Sequence, residues 1–528
     1  MTTTTADIVI AGAGHNSLIT AAYLTAAGYR CAIVDARPIP GGGATTEEML
    51  IDGMWVDTCS TGHTLIQVNP LIRLDELGLV ERYGLSYIDP DPVEVVAFPD
   101  GEALTMSLDP AKTIDEIGRF STHDAAAYRR LLEEWEEVKS AVGAGRFRPI
   151  GYGPSPQELL EQHPRGGIWQ RRSMMSARDV ILHEFTEPHV RAFMGWMATQ
   201  TAVPIDGAGT GLLAYQIISG RQARSWSIPA GGSGKLVEAL VGYLTDNGAS
   251  IHCDTVVSEL ILENGRCVGF RTEDGDEFRG EHGVVSTIHV KHLVDMAPKD
   301  AWGEDFVFGT ETFHIGIPFF GIYMATTEPP KYTTHDGTRS AVSAGVAGWI
   351  DDLTRNSRKV SDGHFTEEWP FMLTATPTLV DPARAPEGMH TVKVVTFNAS
   401  DPGGGPERWD DIKEDIADRQ LEYLRQFAPN LTDDVILARE VKSPLDIERT
   451  NRHMIGGAPH GGDRGIGLSG AHRPVPGWAQ HRMPIPGLYQ TGGTTHPGGS
   501  ITGAPGRNAA IVMLEDLGRD PSEFMAMV

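Results

Sequence analysis

The sequence predicts an α/β protein: a Rossmann-like dinucleotide-binding domain with a second, mixed α+β domain inserted into it. Three observations predict this. An apolar run at residues 7–11 leads into Gly12-Ala13-Gly14-His15-Asn16-Ser17, a strand, tight turn and helix start that aim backbone N–H groups and a helix dipole at a pyrophosphate. Near the other end, Gly492-Gly493-Thr494-Thr495-His496-Pro497-Gly498-Gly499 precedes an apolar run at 501–514. Between them, residues 229–285 carry a second block of the same helix-and-strand type. A dinucleotide held by both chain ends forces the intervening chain into insertions, and 528 residues suffice for two interleaved cores.

The elements follow in order. After the first strand comes an Ala-rich helix over 16–27, ended by Gly28, and a second strand at 30–35, which makes a βαβ start. Residues 71–79 read as helical and 93–98 as short strands. The segment 109–142 reads as one amphipathic helix, charged on one face. A Gly/Pro-rich connection at 149–156 follows, and 174–201 resumes helix with a Met- and aromatic-rich face. Residues 236–246 form a helix, followed by strands at 250–253, 256–262, 267–272 and 277–285, with a hairpin turn at Glu263-Asn264-Gly265-Arg266. Residues 306–399 are rich in strands and turns, 409–427 is a helix, and 456–503 is dense in Gly and Pro. The expected division is 1–100, 220–300 and 470–528 for the dinucleotide domain. Residues 101–219 and 301–469 then form the inserted substrate-binding domain, with a helical layer.

Composition excludes several function classes. A formal net charge of -26 repels phosphate backbones and anionic headgroups, so nucleic acid is excluded as a partner and any peripheral membrane contact has to be apolar. No run approaches the roughly 18 apolar residues of a transmembrane helix. Residues 1–5 are a short polar leader without a targeting pattern, which predicts a cytoplasmic protein. Cys31, Cys59, Cys253 and Cys267 form no C-x-x-C pair and no metal-ligand spacing, as suits reduced thiols.

Chemistry concentrates at the glycine motifs. Asp35 ends the second strand, where a carboxylate accepts hydrogen bonds from both ribose hydroxyls of an adenosine and repels a 2′-phosphate. Ala36 and Arg37 follow. Gly41-Gly42-Gly43-Ala44 then allows close backbone approach, with Arg37 placed to lie against the dinucleotide. Three other motifs fail on inspection. Gly231-Gly232-Ser233-Gly234-Lys235-Leu236 lacks the Ser or Thr that a phosphate loop needs for magnesium, and His183-Glu184 lacks the i+4 histidine of a zinc-protease helix. Gly467-Leu468-Ser469-Gly470-Ala471 lacks the last glycine of a nucleophile elbow.

Residues 12–44, Trp55-Val56-Asp57-Thr58 and, above all, 487–510 resemble the phytoene desaturase-related flavoproteins: carotenoid desaturases, carotenoid isomerases and retinol saturase. The strand at 257–260 resembles that family's adenine-contacting strand, and 377–388 resembles a loop of its bacterial branch. The chain departs from the pattern at Asp35, usually Glu, and at Gly43, often basic. The resemblance implies a flavin amine oxidase/phytoene desaturase type of fold with bound FAD. The adenine would lie near Val257, the pyrophosphate at Gly12, Gly14, His15, Asn16 and Ser17, and the flavin near Gly493, Gly499, Ser500 and Ile501. A helix beginning near Ile501 would point its N–H groups at the flavin's O2 and N1.

His63 and His496, each in a glycine-flanked loop that the family's topology brings near the flavin, are the candidate acid/base groups. Tyr489 and Arg507 are secondary candidates. The expected reaction is desaturation of a C–C bond in an apolar alicyclic, terpenoid or isoprenoid substrate, with hydride passing to flavin N5 and oxygen or quinone as electron acceptor. A redox-neutral isomerase or saturase, a flavin amine oxidase and a lipid-binding escort-type protein without flavin chemistry remain as alternatives.

Overall fold

The computed structural model describes residues 2–527. Two seven-stranded sheets organise the chain. In the first, the order is Val257–Glu263, Arg266–Thr272, Glu277–Ser286, Thr3–Ala11, Cys31–Val34, Ser250–His252, and Leu488–Gln490 pairs with the far end of Glu277–Ser286. The central strand Thr3–Ala11 runs parallel to both neighbours, with Ile8 opposite Cys31 and Val9 opposite Val284. Ile8, Val9, Ile10 and Ala11 have no solvent exposure, because helices or packed chain cover both faces of a parallel sheet. The hairpin turn at 263–266 forms as its sequence predicts, with Asn264 and Gly265 both at positive φ.

The first helix, His15–Ala26, and the last, Ala504–Asp516, lie side by side over this sheet. Their approach is backbone to backbone. A Cβ on Gly506 would sit 2.3 Å from the Asn16 carbonyl oxygen, and the Thr20 hydroxyl donates to the Gly506 carbonyl at 2.9 Å. Chain ends that are remote in sequence therefore meet on one side of the sheet.

The second sheet runs Ile436–Lys442, Phe319–Thr326, His390–Phe397, Phe371–Ala375, Ser343–Ala347, Glu94–Ala97, Ala103–Met106. Strand period two divides its faces. Phe320, Ile322, Met324, Val392 and Val394 pack with Trp409, Ile416 and Leu421 of the helix Trp409–Arg425. Phe319, Gly321, Tyr323, Leu373 and Val395 lie on the other face, where Phe319 and Leu373 pack against the helical core and Tyr323 packs on Met54 and Val56 with its hydroxyl donating to the Thr58 carbonyl at 2.6 Å. A layer of helices between residues 110 and 224 forms a separate core around Tyr128, Trp169, Trp196 and Tyr215.

The helices are shorter than the sequence pattern suggests. Residues 109–142 divide into Pro110–Phe120 and Thr122–Gly143, because Ser121 is extended and its side chain accepts the Asp124 N–H, starting a new helix. Residues 174–201 divide similarly at Ser176 and at Pro188, which opens Pro188–Thr199. Helix at 71–79 is confined to Pro70–Arg73, whereas Leu213–Arg224 and Ile350–Ser361 are helices that the pattern does not reveal. Among the described residues no helix is long and apolar enough to cross a membrane.

The contact at Gly506 gives a direct test. Gly506→Ala is expected to lower stability by about 1–3 kcal/mol, the usual cost of overpacking. Gly167→Ala, in a helix with open space around it, is expected to be neutral or stabilising. Urea denaturation of the two variants measures the difference.

Candidate functional site

A cavity of about 1170 Å³ runs between the carboxyl ends of the first sheet's parallel strands and the free face of the second sheet. Asp35, Ala36 and Val257 border one part of it, and Gly12, Gly14, His15, Asn16, Arg37, Gly42 and Gly43 border the next. Gly493, Gly499, Ser500 and Ile501 follow, and beyond them the wall is Phe319, Gly321, Tyr323, Leu373 and Val395. Of the residues expected to bind a cofactor, Ser17 and Ala44 alone do not line the cavity. Ser17 is fully buried with its hydroxyl donating to the Gly14 carbonyl at 2.9 Å, and Ala44 packs in the core of the first sheet.

The turn at 12–14 is built for close approach. Gly12 has φ +103°, and a Cβ there would fall 2.1 Å from the Thr287 hydroxyl. The Gly41 N–H donates to the Ala13 carbonyl at 2.8 Å, and a Cβ on Gly42 would reach within 3.2 Å of the Gly14 Cα. No side chain caps the first helix, so its first N–H groups remain directed at the cavity. Asp35 is oriented from both sides: Oδ2 accepts the Ala13 N–H at 2.6 Å and Oδ1 the Arg37 N–H at 2.8 Å. Burial raises its pKa, while those two N–H groups and the Arg37 charge act against that. Each carboxylate oxygen keeps a second lone pair for a ligand hydroxyl. Arg37 itself folds over the glycine loop, donating to the Gly42 carbonyl and to Glu47, both at 3.0 Å.

At the opposite end, two glycine loops interlock. A Cβ on Gly499 would lie 2.1 Å from the His460 carbonyl oxygen, and one on Gly493 would lie 3.1 Å from the same atom. The buried Arg473 ties these loops together, donating to the carbonyls of Gly461, Asp463, Leu468 and Gly493. Ser500 is held at φ +89°, a conformation that L-residues rarely adopt. The last helix begins at Ala504, not near Ile501, because Gly503 is left-handed at φ +65° and Pro505 occupies the first turn. Ile501 lines the cavity ahead of the helix rather than within it.

Neither His63 nor His496 lines the cavity. His63 is fully buried, with Nε2 on the Ser233 hydroxyl at 2.7 Å, and burial pushes its pKa down to about 3. His496 directs Nε2 to the Gly145 carbonyl at 2.7 Å, with its pKa pushed to about 4 by burial. His460 takes the place expected for them. Its ring borders the cavity 5.8 Å from that of Phe319, makes no hydrogen bond to any described residue, and is held neutral by burial, with a pKa down to about 3. Its sequence signal, Pro459-His460-Gly461-Gly462, is the same glycine-flanked pattern that marks His63 and His496. His15, also cavity-facing, is lowered to about 4 by burial and by the neighbouring His453. Tyr489 and Arg507 are structural: the Tyr489 hydroxyl donates to Asp516 at 2.8 Å, and Arg507 pairs with Glu76 at 3.0 Å.

The family model described as flavin containing amine oxidoreductase matches residues 18–510. The chain is 27% identical to pyridine nucleotide-disulfide oxidoreductase domain-containing protein 2 of Mus musculus, over 97% of this chain and 94% of that one. It is 24% identical to a component of the limonene dehydrogenase of Castellaniella defragrans, over 98% and 97%. It is 25% identical to a lycopene-forming phytoene desaturase of Pseudescherichia vulneris, over 96% and 99%. Among solved structures, cyclohexylamine oxidase from Brevibacterium oxydans superposes with a TM-score of 0.58 at 14% identity, covering 97% of this chain and all of that one. That likeness is one of fold.

The buried neutral histidines couple stability to pH. In the unfolded chain each titrates near 6.5, but in the folded protein His63, His460 and His481 are held near 3 and His15, His453 and His496 near 4. Between these limits the unfolded state binds more protons, so stability falls as pH drops. Tm is expected to decline steeply from about pH 6.5 toward pH 4, with a shallower slope in His481→Gln, as thermal melts across that range would measure.

Proposed function

The chain belongs to the flavin containing amine oxidoreductase family and is an FAD-dependent oxidoreductase, and from this premise we propose that it desaturates a C–C bond of an apolar alicyclic or terpenoid substrate. The observation that carries the proposal is the free face of the second sheet. Phe319, Gly321, Tyr323, Leu373 and Val395 form an apolar floor beside the neutral His460, and Ile217 and Trp226 also line this part. Relatives named for limonene dehydrogenation and phytoene desaturation, aligned over nearly their full length, support it.

The fit to FAD rests on the cradle at the other end of the cavity. Asp35 would receive the adenosine ribose hydroxyls, with Val257 beside the adenine. Backbone N–H groups at the start of the first helix, with its dipole, would hold the pyrophosphate. Gly493, Gly499, Ser500 and Ile501 would bound the flavin. When bound, FAD supplies a two-electron acceptor for the hydride that leaves the substrate carbon, to be reoxidised by oxygen or a quinone.

His460 then accepts the proton lost from the adjacent carbon, as a neutral imidazole whose ring nitrogens are free. Lys393 also borders the floor, but its Nζ donates to the Asp57 and Cys59 carbonyls and the Thr61 hydroxyl, at 3.2, 2.7 and 2.7 Å. Its three N–H groups hold the 57–61 loop and leave none for a ligand. Arg221, Lys393 and Arg464 line the cavity together with the carboxylates of Asp35, Glu47, Glu273, Asp295 and Glu448, while the carboxylate of Glu94 is fully buried against Arg221.

Anaerobic mixing of the FAD-loaded protein with cyclic terpenes, alicyclic ketones and carotenoid precursors tests the reaction. A desaturase substrate is expected to bleach the oxidised flavin. Product formed without net bleaching would replace the proposal by an isomerase, and peroxide released from amines would replace it by an amine oxidase. His460→Gln is expected to slow flavin reduction by roughly 10²–10⁴-fold while FAD is retained. His63→Gln and His496→Gln, if they retain FAD, should leave the rate in the same order of magnitude. Because the His460 imidazole takes up a proton only as pH approaches about 3, the reduction rate should stay level from neutral pH down to about pH 5.

A further inference from the structure

The interior arginines differ in how their charge is met. Arg384 lies 2.9 Å from the carboxylate of Asp57, Arg507 lies 3.0 Å from that of Glu76, and Arg221 lies 3.5 Å from that of Glu94. Arg473 is surrounded by backbone carbonyls. Arg464 and Arg146 have neither arrangement. Among the described residues, no carboxylate oxygen lies within 4 Å of either guanidinium.

Arg464 borders the cavity in the same loop as His460. It donates once, from Nη2 to the Gly499 carbonyl at 2.6 Å, and its Nε is buried without an acceptor. The nearest acid in sequence, Asp463, turns its Oδ1 to the Arg464 backbone N–H instead. The Arg146 guanidinium makes no hydrogen bond to any described residue, and its positive charge acts on Arg464. Burial and that charge lower Arg464 to about 10, which leaves it protonated at neutral pH.

The backbone at Arg146 is held at two points. The Gly145 carbonyl accepts from His496, and the Arg146 carbonyl accepts from the Asn508 amide at 3.1 Å. Two neighbouring cations, neither with a carboxylate within 4 Å among the described residues and one of them bordering the cavity, carry a cost that the more distant Asp463 charge offsets in part and an anionic ligand would lower further.

We propose that Arg464, reinforced by Arg146, binds a carboxylate carried by the apolar substrate, so that the enzyme acts on apolar acids. This rests on the desaturase reading for the rest of the substrate, which the floor at Phe319 and Leu373 would hold. Nη1 of Arg464 makes no hydrogen bond to any described residue and is not among the buried atoms, so together with the second N–H of Nη2 it keeps donors that a carboxylate accepts.

Benzoate, whose ring cannot be desaturated, tests this on the oxidised FAD-loaded protein. Titration followed by flavin absorbance is expected to show benzoate binding ~10- to 100-fold more tightly than benzyl alcohol or benzylamine, the range for a charge-assisted hydrogen bond. Arg464→Met should abolish that preference without changing benzyl alcohol affinity, Arg464→Lys should keep part of it, and Arg146→Met should reduce it. Equal affinities for the three ligands in the wild-type protein would overturn the proposal. So would an Arg464→Met protein that keeps full benzoate affinity but loses sulfite addition to the flavin, since the charge would then serve the cofactor. If Arg464→Met does not retain FAD, an unchanged benzoate preference in both Arg464→Lys and Arg146→Met overturns it. Failure of every substrate to bleach the flavin would remove the desaturase reading but leave the benzoate comparison intact.

Discussion

The whole site depends on one close approach: the last helix against the first, with no side chain between them at Gly506. The Asn16 carbonyl occupies the space a Cβ would need, and Thr20 bonds back to the Gly506 carbonyl. Because the glycine turn at 12–14 and the loop at 499–503 each lead into one of these helices, their packing sets the two loops beside a single cavity. Moving the last helix outward by the width of a methyl group would separate Ser500 and Ile501 from His15 and Asn16. It would also carry away the loop on which His460 is seated.

A second constraint joins the two sheets. Asp57 is almost fully buried, and its Oδ1 lies 2.9 Å from Arg384, 2.7 Å from the Thr46 hydroxyl and 2.8 Å from the Ser233 N–H. The positive charges of Arg384 and Lys393 overcome its burial and lower its pKa. A pair this deep contributes more to fixing geometry than to net stability, but removal of one partner leaves a charge stranded. Here it fixes where the 57–61 loop meets the second sheet, and hence the width of the cavity.

The parts of this arrangement that were legible in the sequence are local ones. The strand at 7–11, the turn at 12–17 and Asp35 follow from hydrophobic period and glycine chemistry, and the structure brings Asp35 to the cavity with both oxygens oriented. Ser121 and Pro188 carry ordinary helix-start signals, yet apolar periodicity runs across them and hides the breaks. The choice among glycine-flanked histidines was not legible. His63, His460 and His496 share one local pattern, and only the interlocking of the loops around 460 and 499 decides which imidazole faces the cavity. The apolar floor was hidden for the same reason: its residues come from three strands whose pairing is long-range. The arginines required the opposite kind of information, since Arg464 is defined by having no carboxylate within 4 Å among the described residues.

In the proposed function, one extended FAD connects the two ends of the chain and leaves its reactive face toward the second sheet. A crystal structure of the FAD-loaded protein tests that directly. It should place the adenosine ribose on Asp35, the pyrophosphate at the start of the first helix, and the isoalloxazine between Ile501 and the floor at Phe319–Tyr323, within contact of His460. An isoalloxazine turned away from that floor, or a dinucleotide bound in the reverse direction, would contradict it.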